Sequence, residues 1–299
     1  MTNIVHNGID YVTLNWAPSR PDPRDFHASD HLMLAAPQAL PSRVSLAQFS
    51  HAILDQAAEG SCTAHGTLNA IYNLAKRLGI ALPELSRQAQ YNWSRMLEGT
   101  LSQDAGAYIR DAVKVPATTG MALESLFAYG PQNMTITPPQ NVILDAAGRK
   151  ILKYVSVPND GYTIKATIAA GYPVIIGFSV AANMMTADVA RTGLIPMPQG
   201  SIVGGHSIEA DTYDDSTSLI EGPNSWGVNW GCKVDGSPGN GAGGRYRMPY
   251  GFLQMMGADF WAVTDLAGNV PPPPPPVTKT YEQGLSDMKA RALIAVSAL

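Results

Sequence analysis

The chain is poor in cysteine, in charge and in long apolar runs, and each scarcity removes a class of function. Only two cysteines, Cys62 and Cys232, occur in 299 residues, too few for a disulfide framework or a thiolate metal cluster. A fold of this length buries enough surface to do without cross-links, so a reducing compartment suits it. Charged residues make up 15% of the sequence, against about 25% in ordinary soluble domains. The 20 lysines and arginines are scattered and the formal charge is −4. That leaves no electrostatic footprint for a phosphate backbone, so no nucleic-acid partner is expected. No apolar stretch approaches the ~18–20 residues that span a bilayer, and membrane insertion is not expected. The nearest, residues 173–185, is interrupted by Gly177, Ser179 and Asn183. The opening residues carry neither a basic leader nor an apolar h-region. A cytoplasmic or virion-associated protein, or export by another route, is the expectation on location.

What the chain does have is glycine and proline, 28 and 23 residues, about one in six and above average usage. Residues 1–45 hold Pro18, Pro21, Pro23, Pro37 and Pro41 and are expected to form an extended segment laid over a core. Residues 46–267 are expected to be the folded domain, helical over about 57–125 and strand-rich over about 126–267. Residues 268–277 contain six consecutive prolines, Pro271 to Pro276, a polyproline linker reaching roughly 19 Å at ~3.1 Å per residue. Over 278–299, Tyr281, Leu285, Met288, Ala292 and Ala295 recur at helical spacing. This predicts a short amphipathic helix, suited to docking a protein partner or to covering a cleft, with a disordered tail as the alternative.

Ala64, Leu68, Ile71, Ala75 and Leu78 follow a helical period, and Gly79 stands where a helix ends. They predict a helix over 62–78, with further helices over 85–98 and 107–118. Short runs at 173–180, 207–213, 218–221, 244–248 and 259–263 are bounded by Gly, Pro, Asn or Asp and predict strands. Helices followed by strands imply an α+β architecture, with a ligand cleft between the two parts.

Cys62 falls on the first turn of the best-defined helix. There the unpaired N–H groups and the positive dipole end favour a thiolate, although an isolated cysteine is more often a small buried hydrophobe. His206 lies in Val203-Gly204-Gly205-His206-Ser207-Ile208, where two glycines allow close backbone approach before an apolar strand. His65, three residues after Cys62 on the same helix, is the rival base, expected to face the core or solvent. Asn224-Ser225-Trp226-Gly227 offers a side-chain carbonyl to orient an imidazole and an indole to shield that bond. Gln56, six residues before Cys62, offers an amide donor for an oxyanion.

These pieces in this order resemble the papain/cathepsin family of cysteine peptidases. His206 follows Cys62 by 144 residues and Asn224 by 162, close to the family's spacing of about 130–150. The resemblance covers roughly residues 40–265 and takes in Leu85-Ser86-Arg87-Gln88 and Gly244-Arg-Tyr-Arg-Met248. Thr63 stands where the family usually has an aromatic residue, and Glu59 replaces a half-cystine. With no disulfides, the chain looks like the prokaryotic or phage-type branch.

The resemblance implies a two-lobe fold, with a helical N-terminal lobe and an antiparallel, barrel-like C-terminal lobe around a cleft. It makes Cys62 the nucleophile, His206 the general acid/base, Asn224 its orienter, Gln56 the oxyanion donor and Trp226 the shield. Gly106, Ser207 and Trp226 would contact the substrate, a polypeptide, and a neighbouring pocket would draw on Ile176, Gly177, Ser207 and Met255. No metal and no organic cofactor is implied. Thiolate and imidazolium are expected to coexist from mildly acid to neutral pH. Other Cys-His-Asn acyl transfer (transglutamination, deamidation, cell-wall amide hydrolysis) is the alternative, as is an inactive binding protein on the same scaffold. Cys232 is expected to be structurally incidental.

Overall fold

The structure is a computed structural model and describes residues 4–6, 9–11, 15–31, 39–240 and 242–267. The linker and terminal helix expected over 268–299 lie outside the described residues. At the N-terminal end β1 (Ile4–His6) and β2 (Ile9–Tyr11) pair antiparallel. A single helical turn, α1 (Ala28–His31), and a strand, β3 (Arg43–Ser45), follow. The segment 1–45 is therefore not extended throughout. β3 pairs with a strand formed by residues 212–214, and Ser45 Oγ lies 2.8 Å from Thr212 Oγ1, a tertiary partnership that local composition does not reveal.

The predicted helices form as α2 (Cys62–Arg77), α3 (Arg87–Glu98) and α4 (Ile109–Thr118). Gly79 follows α2 at φ +73°, the left-handed conformation that glycine adopts without strain. Ser86 caps α3 by accepting from Ala89 N–H at 3.0 Å, as an N-cap serine does. Residues 62–75 of α2 are all buried, so this helix runs through the interior with protein on every side. A shorter helix, α5 (Gln140–Ala146), lies beyond the expected end of the helical part.

The strand-rich part contains β4 (Ile151–Ser156), α6 (Gly161–Ala169), β5 (Val174–Ala181), α7 (Ala187–Thr192) and β6 (Ile202–Ala210). It continues with β7 (Thr212–Asp214), β8 (Leu219–Pro223), β9 (Arg245–Pro249), α8 (Tyr250–Met256) and β10 (Gly257–Leu266). Two antiparallel four-stranded sheets result, one ordered β4-β10-β5-β6 and the other β3-β7-β8-β9. The helices α6, α7 and α8 interrupt the half expected to be strand-rich; none exceeds nine residues, too short for a helical period to stand out.

Strand alternation divides the first sheet's residues between two packing regions. Ile176, Phe178 and Ile208 join the main apolar core, whereas Ile175 packs with Trp16, Cys62 and Trp261. Helix α2 lies close against β6, because a Cβ on Gly66 would stand only 3.3 Å from the Ile208 backbone. That approach brings the start of α2 beside the middle of β6. Among the described residues no helix is long and apolar enough to cross a membrane, and no group of three or more His, Cys, Asp or Glu is arranged to hold a metal ion.

Candidate active site

Cys62 is the first residue of α2 and is fully buried. The side chain of the N-cap residue, Ser61, does not cap the helix. Its hydroxyl instead lies 2.5 Å from Tyr129 Oη and 3.2 Å from His65 Nδ1. The first-turn N–H groups therefore keep the outward-pointing donor character of a helix start. The backbone N–H of Ser207, the residue after His206, favours the charged form of the Cys62 sulfur, which places the thiol where α2 abuts β6.

His206 sits opposite Phe178 across the β5/β6 ladder. Its Nε2 lies 2.9 Å from Asn224 Oδ1, which also accepts from Ser225 N–H at 2.8 Å. With its carbonyl oxygen so placed, Asn224 requires Nε2 to be the protonated nitrogen and leaves Nδ1 with a free lone pair. The Trp226 indole stacks on the imidazole at 4.7 Å between centroids and 25° between planes. Phe178 meets it edge-on at 5.8 Å, and Trp230 braces Trp226 at 5.2 Å. The imidazole is thus enclosed by aromatic rings.

Gln56 arrives by a separate route. Its backbone N–H donates to Ser225 O at 2.8 Å and Asp55 bridges to Trp226, tying this loop to the Asn224 loop. The Gln56 amide is oriented at both ends: Oε1 accepts from Ser225 Oγ at 2.6 Å, and Nε2 donates to Glu59 O at 2.8 Å. All four residues expected from sequence, Cys62, His206, Asn224 and Gln56, are brought together.

Burial sets the electrostatics. It pushes the Cys62 thiol up to about 12 and the His206 imidazole down to about 4, against a smaller upward pull on the imidazole from Asn224. Burial thus works against the thiolate and imidazolium expected of this pair and favours their neutral forms. The physical reason is cover over the site. His65, the rival base, is also fully buried; its Nδ1 donates to Ser61 O at 3.0 Å, and burial lowers it to about 3. It serves the packing of α2.

The cover is the chain's own N-terminal segment. Trp16 is 6% exposed and packs with Cys62, Ile175 and Trp261. Its backbone N–H donates to Gly205 O at 3.2 Å, and Asn15 bridges to Gly205 in parallel. Asn15 also lies over Gly106, where a Cβ would stand 2.4 Å from the Asn15 carbonyl oxygen, and its Nδ2 donates to Asp104 O at 2.8 Å. Gly106 and Gly205 thus form two walls with main chain between them. Ser207, paired with Gly177, lies on the same sheet face as Gly177 and Gly205 and is fully buried. Two expected pocket residues are placed elsewhere: Ile176 points into the main core, and Met255 is exposed on α8. Cys232 is buried, with its thiol donating to Arg245 O at 3.3 Å.

Sequence reasoning missed Trp16 and Asn15. The only local signal was an isolated Leu14-Asn15-Trp16-Ala17 patch within a proline-rich stretch.

No protein-family model matches the chain. Its fold is that of the papain-like proteins. It superposes with a TM-score of 0.73 on xylellain, a cysteine protease from Xylella fastidiosa, with 29% identity over 85% of this chain and 97% of that one. The Carica candamarcensis cysteine protease shares the fold at a TM-score of 0.56 and 20% identity, covering 76% of this chain and all of that one. An uncharacterized peptidase C1-like protein of Acanthamoeba polyphaga mimivirus is 29% identical, covering 71% of this chain and 70% of that protein. In sequence and in fold the chain is thus similar to papain-like cysteine peptidases.

Proposed function

We propose that the chain hydrolyses peptide bonds through an acyl-enzyme on Cys62, with His206 as general acid and base. The observation that carries this reading is the hydrogen bond from His206 Nε2 to Asn224 Oδ1, which reserves Nδ1 for proton exchange beside a thiol at a helix start. In the first step the thiol proton passes to His206 Nδ1 while sulfur bonds to the peptide carbonyl carbon. The Cys62 N–H and the Gln56 amide receive the oxyanion; an amide donor of this kind is worth roughly 2.7–4 kcal/mol. The carbon–nitrogen bond then breaks, and the imidazolium returns its proton to the leaving amine. In the second step water attacks the thioester and gives its proton to His206, and the acid departs as the thiol is restored. Asn224 keeps the imidazole in the required tautomer throughout, and the Trp226 indole shields the bond that does so.

The test is a small activated ester followed by weighing the intact protein, with casein digestion alongside. One acyl group on Cys62, absent in Cys62→Ser, with casein cleavage lost in the same variant, is the expected result. Acylation of Cys232 at an equal rate, or casein cleavage by Cys62→Ser, contradicts it.

A further inference from the structure

We infer that Tyr129, on the loop between α4 and α5, is a positioning residue, an assignment that rests on the peptidase reading and extends it. Its hydroxyl sets the spacing of the two groups proposed to receive the oxyanion, the Gln56 amide and the Cys62 N–H, and touches no reacting atom itself.

Gln56 and Cys62 are joined by residues 57–61, which form neither helix nor strand. Ala57 lies at φ +47°, a left-handed conformation that an alanine keeps only where its surroundings impose it. The Tyr129 hydroxyl spans this loop from end to end. It donates to Gln56 O at 2.8 Å and lies 2.5 Å from Ser61 Oγ, on the residue directly before Cys62. A phenol has one hydrogen to give; with that hydrogen on Gln56 O, the Ser61 hydroxyl must donate to Tyr129 Oη. The direction of the chain from Ser61 through Tyr129 to Gln56 is thereby fixed. Gln56 O also accepts from Glu59 N–H at 3.1 Å, so the turn and the phenol converge on one carbonyl. Displacing that carbonyl carries the Gln56 side chain with it, and displacing Ser61 turns the peptide whose N–H belongs to Cys62.

Tyr129 is itself held on several sides. Its backbone N–H donates to Glu124 Oε1 at 2.7 Å, and Glu124 pairs with Arg87 at 3.3 Å. The Arg87 guanidinium lies over the Tyr129 ring, 5.1 Å from its centroid, a favourable cation–π placement. His65 meets the same ring at 5.2 Å and 89° between planes. Gly130, the next residue, donates its N–H to Gln88 Oε1 at 3.0 Å, and Gln88 Nε2 donates to Glu59 Oε2 at 3.0 Å. A second link thus runs from the Tyr129 loop back to residues 57–61. A phenyl ring alone satisfies the contacts with Arg87 and His65; the hydroxyl is the part that reaches the oxyanion loop, and it can be removed on its own.

The experiment compares Tyr129→Phe, Gln56→Ala and the double variant with their reference chain on a blocked peptide amide. All carry Trp16→Ala, so that the indole packed with Cys62 does not obstruct the thiol; should that substitution prevent folding, the unsubstituted chain is the reference. Thermal unfolding checks that each variant is folded. Initial rates separate kcat from KM, and alkylation of Cys62 by iodoacetamide, which forms no oxyanion, reports the thiol alone. Tyr129→Phe is expected to lower kcat roughly five- to tenfold, with KM and the alkylation rate changed by less than about twofold. In the Gln56→Ala background the same change is expected to cost about twofold or less, because the amide it positions is gone. Reference kcat in Tyr129→Phe, a loss confined to KM or to alkylation, or an equal loss with and without the Gln56 amide overturns the inference. A peptide aldehyde supplies a readout that needs no turnover, since its hemithioacetal with Cys62 places an oxygen where the oxyanion would lie. Its affinity, read from protection of Cys62 against alkylation, is expected to fall roughly threefold or more in Tyr129→Phe, and equal protection overturns the inference. If Tyr129→Phe does not fold, Ser61→Ala, which removes the other hydroxyl of the link, carries the same measurements. A reference chain that binds the aldehyde yet cleaves no amide refutes the hydrolytic reading and leaves the aldehyde comparison to decide this inference; one that binds no aldehyde refutes both.

Discussion

At Asn224 one carbonyl oxygen accepts both the imidazole Nε2–H and the Ser225 N–H, so a single residue fixes the tautomer on which the proposed proton exchange depends. Asn224→Ala is expected to lower kcat/KM roughly 10- to 100-fold, as for other residues that orient a reacting group, while Cys62 stays accessible to alkylation in a Trp16→Ala background. Gln56→Ala is expected to lower kcat about 10²- to 10³-fold with little change in KM, measured by initial rates on a peptide amide. The pH response follows from burial. With the thiol near 12 and the imidazole near 4, thiolate and imidazolium do not coexist while the site is covered, and Cys62 alkylation is expected to climb with pH up to at least pH 9. Exposure to water lowers the first and raises the second, so in Trp16→Ala the reaction is expected to be already fast at pH 6 and nearly level to pH 8. The juxtaposition of the four proposed site residues was legible because the proposed chemistry depends on residue type in a fixed order along the chain. Trp16 was not, since a tryptophan in an irregular segment has no periodicity and its meaning lies in two glycines at positions 177 and 205.

Among the elements, α2 and β6 do most to shape the site. Gly66 allows the helix to lie against Ile208 two residues from His206, and a larger residue there meets strand backbone, which has little freedom to yield. Gly66→Val is expected to cost about 1–3 kcal/mol, read as a lower denaturant midpoint, together with slower Cys62 chemistry. Glu209, also on β6, is fully buried; burial and the neighbouring Asp211 raise its carboxyl well above the ordinary value, against the pull of Arg245. The folded chain thus holds a proton that the unfolded chain releases above about pH 4.5, so this group's contribution to stability declines as pH rises beyond that value. Glu209→Gln is expected to be more stable than the parent at pH 8. The advantage should shrink toward pH 4, as followed by thermal unfolding. The long helices and β5, β6 and β8 to β10 were legible from period and punctuation. The short elements β3 and α5 to α8 were not, because three to nine residues carry too little pattern and their stability comes from tertiary partners such as the Thr212–Asp214 strand beneath β3.

For the molecule as a whole, the two-lobe α+β architecture expected from the motif order is the one observed. Its interior helix and two antiparallel sheets bring residues from opposite ends of the sequence to one place. Gln56, Cys62, His206 and Asn224 meet only because α2 packs on β6 and the Gln56 loop pairs with the Asn224 loop. The N-terminal segment completes that assembly from outside, held by side-chain and main-chain contacts that single substitutions can remove. Limited proteolysis is therefore expected to cut within residues 17–40 faster in Trp16→Ala than in the parent, while the fragment beginning near residue 43 stays intact because β3 belongs to a sheet. The central claim, that Cys62 and His206 form a working peptidase pair, is tested most directly with one equivalent of an epoxysuccinyl peptide at pH 6 in the Trp16→Ala background. Cys232 serves as the internal control and the product is weighed intact. The account predicts rapid single labelling that maps to Cys62 and disappears in His206→Ala; equal labelling of both thiols, or labelling of Cys62 unaffected by loss of His206, would contradict it.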